Sequence, residues 1–197
     1  MGLPLIIKEE TPYRLFRSNI ALGIVFAVKP PVIYGVHRMK PTAILFVCMG
    51  NICRSPLAQG ILAHIVEKQQ IAHRIVIDSA GTDDWHVGNA PDPRSVAIAK
   101  RHGIDITRQK ARQVKPSDFE GFDLILAMDA DNLARLSAIC PVEYEQKLHL
   151  FSDYATGERS NVPDPYYGGE GGFQTVYTML FSGCMSLIGR LETGHAS

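Results

Sequence analysis

Residues 43–56 read Ala43-Ile44-Leu45-Phe46-Val47-Cys48-Met49-Gly50-Asn51-Ile52-Cys53-Arg54-Ser55-Pro56. The run from Ile44 to Val47 is apolar throughout, as a strand buried on both faces requires. Gly50 and Asn51 follow, two residue types that tolerate backbone conformations other residues avoid, so a short loop can curl there. Ser55-Pro56 then opens an amphipathic pattern with Leu57, Ile61, Leu62, Ile65 and Val66 on one stripe. Strand, tight loop and helix in that order predict the first unit of an α/β fold. The alternation continues along the chain. Strands are predicted at Ala43–Val47, Ile75–Asp78, Leu124–Ala127 and Leu148–Leu150, and helices at Pro56–Gln69, Pro93–His102, Asp129–Ile139 and Phe173–Leu191. A parallel sheet flanked by helices follows. The loop after its first strand lies at the carboxyl ends of the strands, where open α/β sheets bind ligands.

That loop carries chemistry. Cys48 and Arg54 are six positions apart, and the helix begins beside them. First-turn amides are unpaired and the helix dipole is positive at this end, so a tetrahedral oxyanion is favoured there. The same field stabilises a thiolate, which makes Cys48 a candidate nucleophile. Arg54 offers a planar fork to two phosphate oxygens. Met49, Gly50, Asn51, Ile52, Cys53 and Ser55 complete the ring, and Ser55 can both cap the helix and donate to the Cys48 sulfur. A thiol–arginine spacing of this kind arises often by accident; its weight comes from strand, loop, arginine and cap agreeing. The plain alternative is a buried structural cysteine in an ordinary strand–turn–helix. The combination predicts a cysteine-based phosphatase.

The run Val47 to Pro56 resembles the phosphate-binding loop of the low-molecular-weight protein tyrosine phosphatases. The likeness continues through Asp78-Ser79-Ala80-Gly81-Thr82, Trp85, Ala111-Arg112-Gln113, Met128-Asp129 and Asp164-Pro165-Tyr166-Tyr167, so it covers about residues 42 to 192. It implies a three-layer, flavodoxin-like fold with a four-stranded parallel sheet. It also implies hydrolysis of protein tyrosine phosphate and small aryl phosphates through a phosphocysteine on Cys48. Thiolate attack needs a proton donor for the departing oxygen. Read alone, Asp164-Pro165 is a turn signal; the resemblance makes Asp164 the general acid and, later, the base. By resemblance Trp85 and Tyr166 wall a slot for a phenyl ring, although Trp85 reads equally well as a loop anchor packed on the core. Tyr167 is a wall residue or a phosphorylation site. The family uses its second loop cysteine, here Cys53, as a reversible disulfide partner for the nucleophile under peroxide.

One position departs from the pattern. Many members carry a histidine where this chain has Gln109, and in the family that residue braces the loop asparagine; the bracing of Asn51 is therefore in question. Three rivals share parts of the pattern. Arsenate reductases of this fold relay oxidation through two later cysteines close in sequence, whereas Cys140 and Cys184 are far apart and read as structural. Phosphoarginine phosphatases of a related branch tend to carry Thr where Ile52 stands. A non-catalytic phosphate-binding module would not need both Cys48 and Asp164.

Composition sets outer limits. The 197 residues are 46% hydrophobic with zero net charge, enough for one good core. Residues 1–40 hold six Lys/Arg against two Asp/Glu, and residues 41–197 fourteen against eighteen. The catalytic part is not globally basic, which argues against bulk nucleic-acid binding. Four cysteines without framework spacing suit the cytoplasm. No Cys/His cluster has zinc spacing, and the mechanism needs neither metal nor cofactor, because Arg54 and the loop amides supply the positive charge. Ile20 to Val28 is too short an apolar run to span a bilayer. Residues 1–40 therefore read as an N-terminal extension, either an over-extended start ahead of Met39 or a basic tail, and residues 41–197 as the phosphatase domain. Phosphotyrosine-containing proteins are the expected partners.

Overall fold

A computed structural model describes residues 40–194 except Tyr167 and Gly169. The N-terminal extension and the alternatives for Tyr167 therefore lie outside the described residues. The chain forms strand β1 (Thr42–Cys48), helix α1 (Arg54–Lys68), strand β2 (Ile75–Gly81), helices α2 (Pro93–Arg101) and α3 (Pro116–Gly121), and strand β3 (Leu124–Ala127). Helix α4 (Ala130–Ile139), strand β4 (Leu148–Leu150) and helices α5 (Phe151–Thr156) and α6 (Glu170–Gly194) follow. The sheet has four strands in the order β2-β1-β3-β4. Every pairing is parallel, with Cys48 opposite Gly81 and Val47 opposite both Ala80 and Ala127.

Why β1 is a continuous apolar run is now visible: it is central, and its two faces feed two cores. Ile44, Phe46 and Cys48 face a core shared with α1, α2, α5 and α6, which includes Leu57, Ile61, Leu126, Phe151, Leu180 and Leu187. Leu45 and Val47 face a smaller core with Phe119 of α3 and Leu136 of α4. Three layers result, as the resemblance implied. Full burial of each of the large side chains, Phe46, Phe119 and Phe151 among them, contributes about 2–3 kcal/mol. Close helix contact on the first face depends on a missing side chain: a Cβ on Gly183 would lie 2.4 Å from the Phe151 ring.

Several boundaries differ from the sequence reading, for local reasons. Strand β1 runs through Cys48 itself, and β2 continues three residues past Asp78 because the backbone of Gly81 also bonds to residues 112 and 114. Helix α1 begins at Arg54, before Pro56, with Cys53 at its N-cap and no side-chain cap bond. Ser55 therefore does not cap the helix; its hydroxyl is committed elsewhere, as the site shows. Asp129 stands outside α4 as its N-cap, accepting from the Asn132 amide at 2.7 Å. Helix α6 is longer than expected, and α3 and α5, six residues each, were not anticipated. No helix of the described residues is long and apolar enough to cross a membrane.

Candidate active site

The segment between β1 and α1 is a loop whose carbonyls are tied outward. Cys48 O accepts from Thr82 N at 2.9 Å, Met49 O from Asp83 N at 3.0 Å, Ile52 O from Asp92 N at 2.8 Å, and Cys53 O from Ser95 Oγ at 3.3 Å. With those carbonyls engaged around the perimeter, the loop is held from outside. The approach on one side is extremely close. A Cβ at Gly81 would sit 2.6 Å from Met49 O and 3.2 Å from Asn51 N, so only glycine permits that contact.

Asn51 is the keystone of the curl. It adopts φ 53 and is almost fully buried, a conformation that asparagine tolerates better than most residues. Its amide nitrogen donates to Ser55 Oγ and to Ser79 Oγ, each at 2.9 Å, and its carbonyl oxygen accepts from Arg112 N at 2.9 Å. Ser79 Oγ passes the chain on to Gln59 Oε1 at 2.7 Å. Asn51 is thus braced without residue 109. Gln109 does not replace the family's histidine: its Oε1 is buried with no hydrogen-bond partner in this structure. The expectation for Gly50 also needs correction. It is not among the glycines with positive φ; its missing side chain instead makes room for His86, whose Cδ2 would meet a Cβ there at 2.8 Å.

Cys48 Sγ lies 3.0 Å from Ser55 Oγ. Because Asn51 donates to that hydroxyl, the serine proton is directed to the sulfur or to Ala80 O, 3.2 Å away. Arg54 is 2% exposed, so its placement is set wholly by the protein. One guanidinium nitrogen donates to the Asp129 carboxylate and, at 3.1 Å, to Val162 O; the other donates to Asp164 Oδ2 at 2.9 Å. Burial works against its charge, but the Cys48 sulfur and the two carboxylates outweigh it and raise Arg54 above its ordinary pKa. Cys53 behaves oppositely. Burial, with Asp92 and the Cys48 sulfur nearby, pushes its thiol from 9.0 up to about 12.

Around these groups is a cleft of 240 Å³, lined by Cys48, Met49, Gly50, Ile52, Cys53, Arg54, Trp85, His86, Asp164 and Tyr166. Nearly all the residues named from sequence therefore converge. Asn51 and Ser55 stand behind the cleft as supports. Trp85 is 74% exposed at the rim, so it does not anchor its loop in the core. Cys184 is buried in the main core and Cys140 is half-buried at the end of α4, away from the cleft. Sequence reasoning missed two participants: Asp129, quoted only as part of a motif, and His86, overshadowed by Trp85. The signal for Asp129 was its place just past the carboxyl end of a predicted strand, level with the loop.

Comparison with known proteins points one way. Residues 43–196 match the family model described as low molecular weight phosphotyrosine protein phosphatase. The phosphatase of that name from Schizosaccharomyces pombe is 46% identical over 143 residues, 72% of this chain and 91% of the relative. A protein tyrosine phosphatase from Entamoeba histolytica, solved with Hepes in its active site, superposes with a TM-score of 0.74 at 41% identity, covering 78% and 99% of the two chains. A Drosophila arginine phosphatase superposes at 0.69 with 35% identity, covering 75% of this chain and 96% of its own. By sequence and by fold, the chain belongs to the low molecular weight phosphotyrosine protein phosphatase family.

Proposed function

We propose that this phosphatase hydrolyses tyrosine phosphate on proteins, and small aryl phosphates, through a phosphocysteine on Cys48. The observation that carries the reading is the convergence of Cys48, Arg54 and Asp164 in one cleft with aromatic residues at its mouth. In the first step the Cys48 thiolate attacks phosphorus, the S–P bond forms as the bond to the phenolic oxygen breaks, and Asp164 gives that oxygen its proton. Arg54 and the inward amides hold the equatorial oxygens as charge develops. Ser55 donates to the sulfur, which eases its departure in the second step. Water then attacks phosphorus, Asp164 takes its proton, and the electron pair returns to Cys48. Because Asp164 accepts from Arg54, phosphate oxygens arriving at the guanidinium compete for that donor and release the carboxyl group towards the leaving oxygen.

Phosphoarginine is the second reading, favoured by the likeness to the Drosophila arginine phosphatase. Ile52, Trp85 and Tyr166 in the cleft lining support a flat apolar ring over a charged guanidinium, so tyrosine phosphate stands first. No metal enters this scheme. The four cysteines, all free, fit a reducing compartment, and we place the enzyme in the cytoplasm. We assign residues 41–197 as the catalytic domain, with 1–40 as an extension outside it. The test is release of phosphate from an aryl phosphate by wild type, Cys48→Ser and Asp164→Ala, beside a phosphoarginine substrate. Turnover abolished by the first change and cut by about 100-fold or more by the second supports the scheme. Turnover retained by Cys48→Ser, or preference for phosphoarginine, overturns it.

A further inference from the structure

Asp164 sits on an exposed segment, and its position has to be fixed by something. Its Oδ1 accepts from Tyr166 N at 3.0 Å, so the carboxyl group is aimed by the backbone two residues on. That backbone is itself gripped from α2. Arg94 Nη1 donates to Tyr166 O at 3.1 Å, and the guanidinium carbon lies 5.5 Å from the Tyr166 ring centre and 4.6 Å from that of Phe173 in α6. Arg94 is in turn pinned by Asp92: Nε to Oδ1 at 3.0 Å and Nη2 to Oδ2 at 2.9 Å, a two-pronged pair. Asp92 is buried, caps α2 through Arg94 N, and donates its own amide to Ile52 O in the phosphate loop. A continuous path of bonds thus runs from the phosphate loop through Asp92 and Arg94 to Tyr166 and Asp164.

From this path we propose that Arg94 is a positioning residue that sets the Asp164 carboxyl group relative to the phosphate loop, with Asp92 as its fixed base. The proposal rests on the reading of Asp164 as general acid given above. Arg94 touches no reacting atom; it decides where the proton donor stands. Proton donation matters most when the leaving oxygen is a strong base, and little when it is a weak one. Loss of Arg94 should therefore produce a defect graded by leaving group. A guanidinium engaged in a two-pronged ion pair and stacked on two rings is not replaced by an ammonium, so Lys should rescue only in part.

The experiment measures kcat/KM for a series of aryl phosphates from p-nitrophenyl to alkyl-substituted phenyl, with wild type, Asp164→Ala, Arg94→Ala, Arg94→Lys and Asp92→Asn. Asn at 92 retains the helix cap. Thermal unfolding of each variant runs alongside. The expected result for Arg94→Ala is a loss of about 10-fold or more on the most basic leaving groups and under about 2-fold on p-nitrophenyl phosphate. Arg94→Lys and Asp92→Asn should fall between that and wild type. A uniform loss across the series, or no loss, overturns the proposal; should Arg94→Ala not fold, the other two variants decide by the same criterion. Failure of the underlying reading looks different: Asp164→Ala itself would then show no leaving-group dependence.

Discussion

The phosphate loop and the segment carrying Asp164 face each other across one cleft, yet they are built in opposite ways. In the loop from Cys48 to Ser55, Cys48, Asn51, Cys53, Arg54 and Ser55 are buried while Met49, Gly50 and Ile52 open to the cleft, its outer carbonyls are paired, and a left-handed asparagine is bonded to three neighbours. The segment from Asn161 to Tyr166 is mostly exposed, and the contacts that hold it include Val162 to the end of β3, Asn161 to the start of α4, Asp164 to Arg54, and Tyr166 to Arg94. Anion binding requires preorganised donors, so the loop is rigid before substrate arrives. Proton transfer requires a carboxyl group aimed at the leaving oxygen but open to the cleft, and contacts through the Tyr166 backbone aim Asp164 without burying it. Damage to the loop should therefore cost stability and activity together, and damage to the opposite segment activity alone.

Arg54→Ala breaks the contrast most severely, because the guanidinium belongs to both regions. It removes the phosphate fork and leaves Asp129, the α4 cap, without its partner. We expect kcat/KM to fall by at least about 1,000-fold and unfolding free energy by about 3 kcal/mol, read from steady-state kinetics and urea denaturation. Asp164→Asn sharpens the contrast. Proton transfer is lost, with a drop of about 100- to 1,000-fold in kcat/KM on phenyl phosphate. Stability should stay within about 0.5 kcal/mol, since this residue is partly exposed and its backbone contacts remain.

Asn51→Ala works on the loop alone. Ala neither fills the three hydrogen bonds nor favours φ 53, so stability should fall by about 2 kcal/mol and KM should rise. Asn51→Gly, which relieves only the backbone, should recover part of the stability and little of the affinity. The last effect, absent at neutral pH, concerns Cys53. Its thiol ordinarily ionises at 9.0 but in the fold holds its proton up to about 12. The unfolded chain thus releases the proton first, and as pH rises above 9 the native state loses up to about 1.4 kcal/mol per unit from this group. Below that pH the contribution is fully present. Denaturation curves of wild type and Cys53→Ala should therefore run parallel up to about pH 8 and converge above about pH 9.

How far these regions were legible in sequence follows the same division. The loop was written in consecutive residues, with Cys48, Asn51, Arg54 and Ser55 within eight positions, so motif reasoning reached it. The longer helices were legible from their period, and the strands as short apolar runs between turn residues. Helices α3 and α5 were not, since six residues give less than two turns of pattern and α5 follows β4 without a break. The bracing of Asn51 came from Ser55, Ser79 and the Arg112 backbone; Ser79 and Arg112 stood in quoted motifs, but nothing in those motifs tied them to residue 51. Arg94 was invisible for a related reason: its partners Tyr166 and Phe173 lie over seventy residues away, and only the fold brings them to α2. Distance along the chain limited the reading more than weak chemistry did.

The central claim is that Cys48 carries the phosphoryl group between two half-reactions. It is tested most directly by mixing the Asp164→Ala variant with an aryl phosphate, quenching rapidly in acid, and locating phosphate by mass spectrometry of the peptides. The account predicts phosphorylation of the peptide containing Cys48, on sulfur, appearing no more slowly than the phenol is released and absent in Cys48→Ser. Phenol release with no phosphorylated Cys48 at any quench time, together with turnover surviving in Cys48→Ser, would contradict it.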